Sequence, residues 1–141
     1  MGIDATVEVH PSAIIEEGAV VGPGCRIGPF SSVGSKVTLG EGVVLKSHAV
    51  VTGLTEVGDE TVVFPGAVVG EIPQDLKFRG EETRLIVGKR NRIREGATLN
   101  TGTEGGGGVT RMGADCLLMT GAHVGHDAQV GARVVIANQT A

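Results

Sequence analysis

The sequence predicts an all-β solenoid, a parallel β-helix of six-residue repeats with a triangular cross-section. Three observations predict it: an aliphatic period of six, turn-forming residues at fixed offsets within that period, and an interior with almost no rings to bury. The period begins at Ile3 and runs without a miss through Val9, Ile15, Val21, Ile27, Val33, Leu39, Leu45, Val51, Val57, Val63 and Val69. It resumes at Val87, Ile93 and Leu99, and again at Met112, Leu118, Val124, Val130 and Ile136, for twenty hexads in all.

Four residues after most anchors stands a small or β-branched residue, among them Val7, Ala13, Ala19, Cys25, Ser31, Val37, Val43, Ala49, Thr55, Thr61, Ala67, Ala97, Thr103, Ala122, Ala128 and Val134. Two inward positions per hexad are thereby defined. A 3.6-residue helical period cannot hold such positions on one face over so many repeats, whereas a short strand followed by a corner can. Glycine directly follows ten anchors, and Pro11, Pro23, Pro29 and Pro65 each fall two after one, so backbone freedom and fixed φ recur at the corner. Three corners close a coil of eighteen residues, and coils stacked about 4.8 Å apart build a prism. Twenty hexads give between six and seven coils. The handedness does not follow from the repeat, because parallel crossovers are ordinarily right-handed.

Composition agrees with a slender core. Aromatic residues are 2% of the 141, with no Trp or Tyr and 24 Gly, which argues against a sandwich or bundle packed on large rings. One domain over 1–141 suits this length. Twelve basic and sixteen acidic residues give a net charge of -4, which does not steer the chain toward nucleic acid or an anionic membrane. Cys25 and Cys116 lack metal or redox spacing and read as small buried side chains. No apolar run approaches the roughly 18 to 20 residues needed to span a bilayer, and the N-terminus carries no basic leader with an apolar run, so a soluble intracellular protein is expected.

Two excursions break the period, 75–86 (DLKFRGEETRLI) and 105–111 (GGGGVTR). With faces A, B and C numbered in order from Ile3, both leave after a face-C hexad and return on face A, so both emerge from one edge. The reading of His123 and His126 puts them at the corner between B and C, about 15 Å from that edge across one face. A site using both loops and histidines would then form more easily between neighbouring subunits.

The segment GAHVGHDAQVG concentrates two histidines and a carboxylate at turn positions. An imidazole at His126 can take the proton of a substrate hydroxyl attacking a thioester, with Asp127 able to fix its tautomer. His123 is either a substrate or support residue or a satisfied surface histidine, and His10 and His48 read as turn or interface residues. Gln74, Asp75 and Lys77 in the first loop are suited to hydrogen-bonding a sugar and its phosphates, or are simply solvated. The GGGG run lacks a following Gly-Lys-Ser/Thr and a helix, which removes a P-loop reading and leaves a flexible excursion. Lys89, Arg90, Arg92 and Arg94 could meet an acidic carrier protein or a nucleotide diphosphate, or form a solvated rim.

Across essentially the whole chain, HPSAIIEEGAVVGPGCRIGPFSSVG, LKSHAVV, GEIPQDLKFRGEETRLIVGKRNRIREGATLNTGT, GGGGVTRMG, LLMTGAHVGHDAQVG and ANQTA resemble the N-terminal half of the UDP-N-acetylglucosamine O-acyltransferases that begin lipid A synthesis. The hexads mark only the hexapeptide-repeat superfamily; QDLK-x-x-GE-x-T, RNRIRE and AHVGHD are more selective. The resemblance implies a left-handed helix, His126 as general base, Asp127 as its orienting partner, and Gln74, Asp75, Lys77 and His123 in the nucleotide-sugar site. It implies transfer of a 3-hydroxyacyl chain from acyl carrier protein to the glucosamine 3-hydroxyl, without a metal or other cofactor, by a cytoplasmic homotrimer with sites between subunits. The family continues into further coils and a C-terminal helical region, whereas this sequence ends at Ala141 within a hexad; a fragment of doubtful activity is the expectation. A second departure is Asn100-Thr101, where the family often has His-Arg. Rival readings are another hexapeptide acyltransferase acting on an amine or with acetyl donors, a γ-type carbonic anhydrase, which would need a third zinc-binding histidine, and a non-catalytic scaffold.

Overall fold

A computed structural model describes residues 2–141 and contains nineteen short strands, all paired in parallel, in three sheets. The sheets are the three expected faces. Face B is a seven-stranded stack that starts at Glu8–Val9 and ends at Val135–Ile136; faces C and A have six strands each, and Ile3 adds an isolated bridge to Val21. Register steps by one coil at each pairing, as in Val44↔Val62↔Arg92↔Leu117. The architecture is a left-handed parallel β-helix, and no helix long and apolar enough to cross a membrane occurs among the described residues.

The anchors are the core. All fifteen from Val21 to Val124 are at most 2% exposed, and with the small residues four places on they form one continuous cluster. Small partners are required because three inward-facing strands meet within one narrow triangle, where a larger second residue would overpack. Cys25 and Cys116 are both buried free thiols inside it, and burial raises the Cys25 pKa.

Backbone conformation explains the corner code. The residue three after the anchor takes a left-handed φ, as at Gly24 (73°), Gly66 (78°) and Gly121 (74°), but also at Phe30, His48, Glu60, Arg90, Asp115 and Asp127. Glycine directly after a face-A anchor has another cause: a Cβ on Gly22 would lie 2.6 Å from the Gly40 carbonyl oxygen of the next coil.

Both excursions lie a few residues N-terminal to their sequence limits. Strands Arg84–Val87 and Val109–Met112 each begin three residues before the anchor, so the last residues of each excursion already pair on face A, with Leu85 and Thr110 fully buried. The looped parts are 72–83 and 101–108.

Candidate functional site

The loops and His126 share one edge. This corrects the placement of the histidines a face away: the corner follows the anchor, so His126, two after the face-C anchor Val124, sits where both loops leave the prism. A single chain therefore brings them together without a neighbour. An open cleft of about 500 Å³ lies there, lined by Asp75, Lys77, Phe78 and Glu81 of the first loop, Thr103 to Gly106 of the second, and His126 with Asp127.

Each wall is held locally. Asp75 accepts the Lys77 N–H on Oδ1 at 2.9 Å and the Phe78 N–H on its carbonyl at 2.9 Å, a tight turn that sets Lys77 beside the cleft. Lys36 anchors the far limb of this loop through Glu82 at 2.8 Å and holds that carboxyl below the ordinary range. The glycine run, expected to be a flexible excursion, is instead a hydrogen-bonded turn: Gly106 and Gly108 N–H donate to the Thr103 carbonyl at 3.2 and 2.7 Å, and Gly108 accepts from Arg84 N–H at 2.9 Å.

His126 is exposed to the cleft, and its Nδ1 faces Asp127 Oδ2 at 3.2 Å. The Asp127 carboxylate is largely buried and also accepts the Thr103 N–H at 2.8 Å on Oδ1 and the Thr103 hydroxyl on Oδ2. Burial pushes its pKa up, but the Thr103 bonds and the His126 contact outweigh that and hold it below the usual carboxylate range. An ionised carboxylate only accepts, so in the neutral ring this contact favours the proton on Nδ1 and the lone pair on Nε2. Among the described residues Nε2 has no hydrogen-bond partner, which leaves it free to receive a proton from a bound hydroxyl. Asp127 has φ 66° and gives its N–H to Thr110 Oγ1 at 2.8 Å, fixing the turn that carries the pair.

The other sequence candidates divide. Asp75 and Lys77 reach the cleft, while Gln74 is exposed on the same loop outside its lining. His123 lies on face C with Nδ1 2.7 Å from Thr98 Oγ1 and its ring beside Gly125, next to the cleft wall and not on it. His10 and His48 are turn residues, one bonded to Ser12 Oγ at 2.8 Å and one stacked on Phe30 at 5.2 Å. The basic run does not form one patch. Lys89 and Arg90 project at the corner between faces A and B, paired with Asp59 and Asp115, and Arg94 at the next corner pairs with Glu95 and lies 4.4 Å over Phe64. Arg92 on face B is the member without an ion pair among the described residues.

Thr103, Glu104, Phe78 and Glu81 were missed in the sequence; counting the corner correctly would have placed the second loop against His126. Asn100, at the same edge, is 4% exposed and its Oδ1 meets no partner among the described residues, while Thr101 beside it accepts from Thr83 Oγ1 at 3.3 Å.

Residues 18–53 match the bacterial transferase hexapeptide family, described as six repeats. Over 97% of its length the chain is 42% identical to a crystallised UDP-N-acetylglucosamine acyltransferase, with a TM-score of 0.83, and spans 51% of that protein. It is 38% identical over 96% to the UDP-N-acetylglucosamine acyltransferase of Bacteroides fragilis, TM-score 0.81, again spanning 51% of it. The Campylobacter jejuni UDP-N-acetylglucosamine acyltransferase matches at 37% identity over 91%, with a TM-score of 0.82 and 50% of that chain covered. The chain thus spans about half the length of the relatives it matches.

Proposed function

The chain belongs to the UDP-N-acetylglucosamine acyltransferase family, and on that premise we propose that it is an O-acyltransferase of the first step of lipid A biosynthesis. It moves a 3-hydroxyacyl chain from the phosphopantetheine thioester of acyl carrier protein to the 3-hydroxyl of UDP-N-acetylglucosamine. His126 Nε2 takes the hydroxyl proton as the oxygen attacks the thioester carbonyl. The C–S bond then breaks, and the imidazolium returns the proton to the departing thiolate. Asp127, anionic and bonded through Nδ1, stabilises the imidazolium and keeps the lone pair on the reacting nitrogen. The observation that carries this reading is the paired His126–Asp127 on a cleft walled by both loops.

Lys77 supplies positive charge for the diphosphate, and Asp75 a hydrogen-bond acceptor for the sugar, with Gln74 and His123 as outlying contributors. No resident metal or cofactor takes part in these steps. We place the protein in the cytoplasm as a homotrimer in which a neighbour covers the open side of the cleft; Leu76, 97% exposed at the tip of the first loop beside Lys77, is the apolar contact such a neighbour would bury.

The test is thiol release from 3-hydroxyacyl carrier protein with and without UDP-N-acetylglucosamine. Release that requires the nucleotide sugar and yields its ester supports the proposal. Release that requires an amino sugar or acetyl-coenzyme A in its place assigns the chain to another hexapeptide acyltransferase, and none with any acceptor in a chain of the relatives' length leaves a scaffold.

A further inference from the structure

His126 and Asp127 are consecutive, and consecutive side chains do not ordinarily face one another. The carboxylate must fold back toward the imidazole, and two free torsions stand in the way of its staying there. Both are restrained by one residue on the preceding coil. Thr103 N–H donates to Oδ1 at 2.8 Å, and its hydroxyl donates to Oδ2, the oxygen that also faces His126 Nδ1. Two donors from a single residue fix the carboxylate plane, which one bond alone would leave free to rotate. The Thr103 oxygen in turn accepts the Gly106 N–H at 3.1 Å, so hydrogen bonds link the glycine turn through Thr103 to the Asp127 carboxylate, which accepts from the ring on its other side. Glycine is needed at 106 because a Cβ there would collide with the Asp127 carboxylate. Asp75, Lys77, Glu81 and Glu104 share the cleft, yet none forms a hydrogen bond or ion pair with the ring, which leaves Asp127 as its single partner among the described residues.

We propose that Thr103 is a positioning residue for the base: it holds the Asp127 carboxylate in the one orientation that fixes His126 as the Nδ1–H tautomer. This rests on the reading of His126 as the base. Without the hydroxyl the N–H bond to Oδ1 remains, but Oδ2 can swing from the ring, and the neutral imidazole then exchanges between its two tautomers.

Ring ¹⁵N chemical shifts of histidine-labelled chain, at a pH where the ring is neutral, read the tautomer without any requirement for turnover. The expected result is a predominantly Nδ1–H ring at His126 in the wild type and in Thr103→Ser, and a mixture with Nε2–H in Thr103→Val. A Thr103→Val protein that keeps the wild-type tautomer with unchanged circular dichroism overturns the assignment, and so does a mixed tautomer in the wild type, which needs no variant to fold. A fixed, Thr103-dependent tautomer in a protein that shows no acyl transfer would keep the positioning role and remove the proposed reaction.

Discussion

Asn91 sets the pattern of the repeat against the accounting of hydrogen bonds. It occupies the inward position held by Val43, Thr61, Cys116 and Val134 in other coils, so Asn91→Val restores the period's own rule. The structure predicts the opposite of tolerance. Asn91 is fully buried; Nδ2 donates to the carbonyls of Gly88 at 3.0 Å and Gly113 at 2.9 Å, and Oδ1 accepts the Cys116 N–H at 2.7 Å. After substitution Gly88 keeps the Thr61 hydroxyl at 3.1 Å, whereas the Cys116 N–H and, apart from a thiol 3.8 Å away, the Gly113 carbonyl lose their partners. Two orphaned backbone groups cost about 1–3 kcal/mol each, and the added apolar burial returns about 1 kcal/mol, for a net loss of roughly 1–5 kcal/mol. In urea unfolding followed by circular dichroism, with a slope of about 2 kcal/mol/M, the midpoint should fall by about 0.5–2.5 M. A midpoint within about 0.2 M of wild type would refute the reasoning. The consequence reaches the site, because Asn91 ties the coil that bears the glycine turn to the coil that bears His126.

Glycines 105 and 106 should respond oppositely to alanine. Gly106→Ala pushes against the Asp127 carboxylate and should cost about 1–3 kcal/mol, while Gly105→Ala meets nothing within 4 Å and should be neutral, both read as thermal midpoints. Equal losses would mean that the turn does not pack on Asp127. Acid should loosen the same contact: the Asp127 pKa is depressed in the fold, so its stabilisation is complete above the ordinary aspartate value of about 3.9 and is lost as pH falls through the lower folded value. Asp127→Asn should therefore flatten the acid limb of the urea-midpoint profile relative to wild type, and an unchanged limb would remove the carboxylate from that dependence.

The fold was legible because its signal is redundant. Val87 and Met112 restore face A after each loop, so counting in sixes assigned every strand to its sheet. The strand starts at Arg84 and Val109 were less visible, although the alternation of Thr83, Leu85 and Val87, all buried, carries a period of two. The candidate site was misread in place. His126, Asp127, Asp75 and Lys77, singled out in the sequence, line one cleft, but the corner was assigned to the wrong side of the anchor, which separated them by a face. Thr103 and Asn91 were hidden for a different reason: their partners lie in neighbouring coils, 24 and 25 residues away for Asp127 and Cys116, and no single hexad records them. The glycine run looked featureless because what it packs against is a carboxylate from the next coil.

The most direct test of the account is the rate of nucleotide-sugar-dependent thioester consumption by His126→Ala against wild type, in a chain of the relatives' length. Loss of the base should lower the rate by about 10²-fold to 10⁴-fold with circular dichroism and urea midpoint unchanged. Turnover near the wild-type level would contradict it, since the proton of the attacking hydroxyl would then be taken by another group.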